Sequence, residues 1–128
     1  MGTFTTSCII ENNIDRSQSI IIPNVMVDTG SELSWISSQE LEKIGIQREK
    51  KDLTFVMANG QRITRSVGFA IIRIENNFTI DEVVFAEEGD LVLLGARTME
   101  GMNLMVDPAK KKLVASGPLP VAKSSVRK

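Results

Sequence analysis

The sequence predicts an all-β fold, a mainly antiparallel barrel or sandwich with short helices. Three observations lead there. Short runs of β-branched and aromatic residues recur at regular spacing, separated by Gly, Pro, Asn and Asp. An Asn59-Gly60 pair lies between two such runs, the strongest two-residue hairpin signal, since both turn positions need positive φ. Only two short helical patterns interrupt the series.

Taken in order, Thr3 to Ile10 is the first strand. Ile20-Ile21-Ile22 and Val25-Met26-Val27 flank Pro23, which marks an edge or a bend. Ser37 and Glu40 are spaced as a capping box, Leu41 and Ile44 make an apolar stripe, and Gly45 ends that helix. Leu53 to Met57 is a short strand. Ile63 to Ile74 follows the Asn59-Gly60 turn and is broken or bulged at Gly68. Asn76-Asn77 makes a second turn into Phe78 to Phe85, and Leu91 to Leu94 is a short apolar strand. Ala96 to Glu100 is the second helix, closed by Gly101. Leu104-Met105-Val106 and Leu113-Val114 flank a turn at Asp107-Pro108-Ala109-Lys110. From Gly117 the chain holds Pro118, Pro120 and then polar and basic residues. The expected division is therefore a domain over residues 1–116 and a loose tail over 117–128.

An internal echo points to a duplicated β unit. Ile10-Glu11-Asn12-Asn13 recurs as Ile74-Glu75-Asn76-Asn77, and after each copy an apolar strand runs into glycine, at Val27-Asp28-Thr29-Gly30 and at Leu93-Leu94-Gly95.

Composition narrows the chemistry. A net charge of -1 gives no reason to expect nucleic acid or an anionic membrane as partner. Lys110, Lys111, Lys112 and the terminal Lys123, Arg127 and Lys128 read as a solvated turn and tail. No run approaches the roughly 18 apolar residues of a membrane-spanning helix, and the start lacks the pattern of a signal peptide. Met1-Gly2 with Thr6 fits the short myristoylation pattern. The single cysteine, Cys8, can form no internal disulfide, which fits a cytoplasmic location.

The chain has no histidine. That removes Ser-His and Cys-His nucleophilic catalysis, histidine zinc ligation and the commonest general base. One cysteine cannot build a thiolate metal site, and no Gly-rich phosphate loop is present. No metal or cofactor is expected. Carboxylates, hydroxyls, lysines and backbone groups must carry any chemistry.

Asp28-Thr29-Gly30 stands out because it follows an apolar strand directly. The carboxylate should emerge from the core at a tight turn, where desolvation and nearby donors tune acids for proton transfer. Gly30 would let the backbone turn sharply and another chain approach, and Thr29 offers a hydroxyl to lock the turn. The tripeptide alone also suits an ordinary loop. Val27-Asp28-Thr29-Gly30-Ser31 with Leu33 and Trp35-Ile36, however, resembles the active-site segment of the retropepsin-like aspartic proteases. Met57-Ala58-Asn59-Gly60 sits where that family has its flap hairpin, Leu93-Leu94-Gly95 is similar to its second signature, and Asn103 to Val114 resembles its closing hairpin. The likeness covers about residues 4–116 and matches the single-domain members in order and spacing. The family usually places Asp or Asn two positions after the second-signature glycine. This chain has Ala96 and Arg97 there, and Arg97 is positioned to pair with Glu32 instead.

The resemblance implies a retropepsin-like half-site subunit. Asp28, Thr29 and Gly30 would be catalytic, and Ser31, Met57, Ala58, Asn59 and Gly60 would bind an extended polypeptide substrate. Two aspartates sharing a proton can serve as base and acid for one attacking water, the aspartic-protease case being the standard illustration. One Asp-Thr-Gly in a chain this short therefore calls for a homodimer with Asp28 on its twofold axis. The lack of tyrosine argues against a pepsin-like flap. Ser31, where many relatives carry alanine, is expected to donate to the Asp28 carboxylate and move the active window towards acid. Two other readings stay open: a catalytically inactive domain of this fold that dimerises and binds peptides, and a β-rich interaction module whose Asp-Thr-Gly is only a turn. Trp35 reads as core or interface, the methionines as core filling, Cys8 as a small hydrophobe, and Glu87, Glu88 and Asp90 as a solvated loop.

Overall fold

A computed structural model describes residues 4–122. Met1-Gly2, Lys123, Arg127 and Lys128 lie outside the described residues, as does the second half of the expected tail. Among the described residues, nine strands and two helices follow one another. They are β1 (Phe4–Glu11), β2 (Ser19–Val27), β3 (Ser34–Ser37), α1 (Ser38–Lys43), β4 (Lys50–Val56) and β5 (Arg62–Ile74). The second half adds β6 (Asn77–Ala86), β7 (Leu93–Leu94), α2 (Ala96–Gly101), β8 (Leu104–Asp107) and β9 (Lys112–Ala115).

Seven strands form one sheet in the order β1-β2-β7-β3-β6-β5-β4, and β1 also pairs with the C-terminal half of β5. That extra pairing closes six strands into a small barrel and leaves no free edge there. The inward residues are apolar throughout: Ile10, Val25, Ile36, Ile72, Val83, Phe85 and Leu94 are fully or almost fully buried. β8 and β9 make a separate two-stranded sheet whose Leu104, Val106 and Leu113 pack on the same core. The expected all-β class with short helices is the class observed. No helix among the described residues is long and apolar enough to cross a membrane.

The pairings reveal the duplication and correct its register. Met26 pairs with Leu93 and Val27 with Leu94 where β2 runs parallel to β7, while Val84 pairs with Trp35 and Phe85 with Ile36 where β6 runs parallel to β3. A shift of 58 residues, from 26 to 84 and from 35 to 93, converts one set into the other. The antiparallel β3·β7 pair, Trp35 with Leu93, maps onto itself under the same shift, as a twofold relation requires. The echo between Ile10 and Ile74 has an offset of 64 residues, six more than this shift. Its second half was misaligned: the counterpart of the Asp28 loop is the loop at Glu87–Asp90, and Gly95 corresponds to Ser37, each preceding a short helix.

Several local expectations change. The capping box is absent: Ser37 precedes α1 without a side-chain cap, and Glu40 lies instead 3.7 Å from Lys43. Gly45 does end the helix at φ 76, and Ile46 N–H donating to Leu41 O completes a Schellman motif. β5 runs unbroken through Gly68, which pairs with Val83. Glycine is required there because a Cβ would stand 2.3 Å from the Gln47 carbonyl oxygen. α2 includes Gly101, packed on Thr79, and Asn103 at φ 58 turns the chain out of it. The second hairpin turn is Glu75-Asn76, with Asn77 already in β6. Pro23 lies within β2 at an irregularity in the β1–β2 ladder, the expected bend. β3 had no separate signature in the sequence.

Candidate active site

β2 delivers Asp28. Val25 and Val27 are buried in the barrel, and Asp28 N–H continues the parallel ladder by donating to Leu94 O at 2.9 Å. The chain then turns: Ser31 N–H donates to Asp28 O at 3.1 Å, and Gly30 N–H donates to Asp28 Oδ1 at 2.9 Å. The next carbonyls are taken by the start of α2, where Ala96 N–H donates to Ser31 O at 2.7 Å and Arg97 N–H to Glu32 O at 3.1 Å. Amides that a helix leaves orphaned thus hold the aspartate loop.

Beneath this lies a buried relay. Gly95 N–H donates to Ser34 Oγ at 2.9 Å, Ser34 Oγ and Thr98 Oγ1 are 2.5 Å apart, and Thr98 Oγ1 donates to Asp81 Oδ2 at 3.1 Å. A Cβ at Gly95 would meet Leu33 O at 2.5 Å, so only glycine lets the two loops approach this closely.

A cleft of about 640 Å³ opens beside Asp28. Gly30, Ser31, Leu33, Trp35 and Leu93 line it with the aspartate, Phe55, Val56, Met57 and Ala58 come to it from the β4–β5 hairpin, Asp90 and Leu91 from the counterpart loop, and Glu32 and Arg97 complete it. The Trp35 and Phe55 rings meet edge-on at 5.1 Å, and with Ile63, Val67, Val84 and Leu93 they form a second apolar cluster at the root of the hairpin. The hairpin tip is a three-residue loop, not the two-residue turn expected. Gly60 N–H donates to Met57 O and Met57 N–H to Gln61 O, both at 2.8 Å, and only Gly60 takes positive φ, at 86. That is the type I turn with a following left-handed glycine.

Of the residues singled out in the sequence, Asp28, Gly30, Ser31, Met57 and Ala58 share this cleft, while Thr29, Asn59 and Gly60 do not line it. Thr29 is exposed, and its hydroxyl makes no hydrogen bond among the described residues; the turn is held by backbone and carboxylate instead. Ser31 Oγ donates to Leu33 O at 2.8 Å and not to Asp28, which removes the basis for an acid-shifted window. Arg97 does pair with Glu32, at 3.3 Å, and also reaches Glu82 at 3.3 Å. Trp35 belongs to the core, as expected, and also to the cleft wall.

The acidic loop is not simply solvated. Asp90 accepts Arg65 Nε at 2.6 Å and Arg65 NH2 at 2.8 Å, and Glu87 N–H at 2.8 Å. The Arg65 hydrogen bonds, reinforced by the Glu87 amide, hold the Asp90 carboxyl below the usual carboxylate range. Sequence reasoning missed Asp90 and Leu91 as cleft residues. The 58-residue repeat would have found them, since it places them opposite Glu32 and Leu33. No group of three or more potential metal ligands occurs among the described residues.

A family model described as "gag-polyprotein putative aspartyl protease" matches residues 22–100, more than half of the chain. The span runs from β2 through the Asp28 loop, the hairpin over the cleft and β6 into α2. The search of curated proteins gives no match. The matched span contains both loops and the hairpin that build the cleft, and on it the chain belongs to the gag-polyprotein aspartyl protease family, a family of retropepsin-like aspartic proteases.

Proposed function

We propose that this chain is one subunit of a homodimeric aspartic endopeptidase whose catalytic centre forms where Asp28 meets Asp28 of a second copy. The observation that carries this reading is a single Asp-Thr-Gly loop opening onto a cleft overhung by a hairpin. One carboxylate cannot both take a proton from water and give one to the peptide. With two, the ionised Asp28 removes a proton from water as its oxygen attacks the carbonyl carbon. The protonated one polarises the carbonyl oxygen and then supplies the proton with which the amine leaves as the C–N bond breaks. Gly30 N–H, on Asp28 Oδ1, fixes the orientation of the carboxylate. An extended polypeptide would lie between Asp28 and Met57-Ala58 in the cleft, held through backbone hydrogen bonds as an added strand. The near-neutral charge supports a protein substrate without nucleic acid or membrane as partner, and the lone buried cysteine supports a cytoplasmic setting.

The test combines two measurements. Sedimentation at about ten micromolar, a concentration typical of moderate affinities, should give a dimer. Peptide cleavage should vanish in Asp28→Asn, whose amide oxygen can still accept the Gly30 N–H. A monomer that cleaves nothing would leave an interaction module. A dimer that binds a statine-containing peptide yet cleaves no substrate would leave an inactive peptide-binding domain.

A further inference from the structure

The β4–β5 hairpin extends beyond the barrel. β5 pairs with β6 only from Val67 onwards, so residues 62–66 are hydrogen-bonded to β4 alone. A two-stranded ribbon by itself is marginally stable in water, yet this one must bring Val56, Met57 and Ala58 to the cleft beside Asp28. Ile63, Arg65 and Val67 alternate onto one face of β5. Ile63 and Val67 join the Trp35 cluster, an apolar contact that resists separation but tolerates sliding. Arg65 does something different: its guanidinium grips Asp90 through two nitrogens, at 2.6 and 2.8 Å. A paired fork fixes angle as well as distance.

The repeat sharpens the contrast. Glu32 and Asp90 occupy equivalent places in the two loops, and each pairs with an arginine. Arg97–Glu32 is a single 3.3 Å contact between side chains that are 49% and 77% exposed. Arg65–Asp90 is bidentate, and its side chains are 18% and 11% exposed. Asp90 is itself immobilised, because Glu87 N–H donates to Oδ2 and Asp90 N–H donates to Glu87 O. Among the described residues this is the one salt bridge that joins a cleft-lining residue to the ribbon.

We propose that Asp90 is a positioning residue, which acts through Arg65 to hold the stem of the hairpin at the angle that closes its tip over the cleft. The inference rests on reading the cleft as a peptidase site. With the pair broken, the stem samples more orientations, the closed form is less populated, and substrate binds more weakly while the bound complex reacts as before.

Asp90→Asn keeps the size of the side chain and can still accept the Glu87 amide, while Arg65→Lys keeps the charge and loses the fork. Both should speed amide hydrogen exchange at residues 62–66 of the free protein by about tenfold. On a fluorogenic peptide with an apolar scissile pair, they should raise KM by about fivefold and leave kcat within about twofold. Arg73→Lys, which weakens the Glu11 pair on the far side of the barrel, should lower Tm and move neither readout. Wild-type exchange and KM in both variants overturn the inference. So does a lower Tm alone, or faster exchange with KM unchanged, since either makes the pair a plain brace. If Asp90→Asn does not fold, Arg65→Lys decides. If the wild type cleaves no peptide, the peptidase reading fails by itself and exchange at 62–66 alone judges the latch.

Discussion

The Asp28 carboxylate and the Gly30 backbone are bound to each other: Gly30 N–H donates to Oδ1 at 2.9 Å, and a Cβ at Gly30 would stand 3.1 Å from that same oxygen. Gly30 does not take positive φ, so its requirement for glycine is one of close approach. Gly30→Ala should fold, because the crowded atom belongs to a side chain that can rotate away. That rotation misaims the carboxylate, and kcat/KM should fall about a hundredfold. Kinetics together with a thermal melt would check this, and full activity would mean that the carboxylate orientation does not matter.

Ser31→Ala should leave the basic limb of the pH-rate profile where it is. A donor to the ionised form would lower a carboxylate pKa, but the Ser31 hydroxyl is committed to Leu33 O at 2.8 Å. The loss should appear as about 1 kcal/mol of unfolding free energy, typical of one hydrogen bond. A shifted limb in the variant would show that the hydroxyl turns to Asp28 when substrate is bound.

The hairpin tip should exchange quickly. Val56 is 62% exposed, and the tip is tied only within itself. Amides of residues 57–61 should therefore lose protection in the free protein and regain it with a statine-containing peptide bound, as a closing lid requires. Equal exchange in both states would argue against a lid.

Cys8 should resist thiol reagents at pH 8 until the protein unfolds. Burial disfavours the thiolate and pushes the thiol from its ordinary 9.0 to about 12. The contribution to stability is full below pH 9.0 and is lost as pH rises from there towards about 12, because the unfolded chain ionises first. Replacing Cys8 by Ala should flatten that alkaline limb in a pH series of denaturant melts.

The legible parts of the sequence were those whose meaning is local. Alternating apolar runs and turn residues gave most of the strands to within a few positions, and Gly45 marked a true helix end. Asp28 could be picked out because it opens an Asp-Thr-Gly-Ser segment directly after a buried strand, with Leu33 and Trp35-Ile36 following. Ser37 and Glu40 misled, since the capping pattern carries no knowledge of β3, which enters the helix with Ser37 already in its ladder. Gly68 misled in the same way: its neighbour is Gln47, a contact set by how α1 returns to the barrel.

Taken alone, the sequence determined the all-β class and the hairpin over residues 57–60, because each follows from side-chain periodicity or turn preferences, and it singled out Asp28 as the candidate carboxylate. Only the tertiary structure decided where the Ser31 hydroxyl points, that Asp90 grips Arg65, and that the repeat aligns the Asp28 loop with Glu87–Asp90. Those relations join residues far apart in the chain. They are fixed when the parallel β2–β7 and β3–β6 pairings bring two loops and a helix start to one end of the barrel, and no pattern confined to neighbouring residues encodes them.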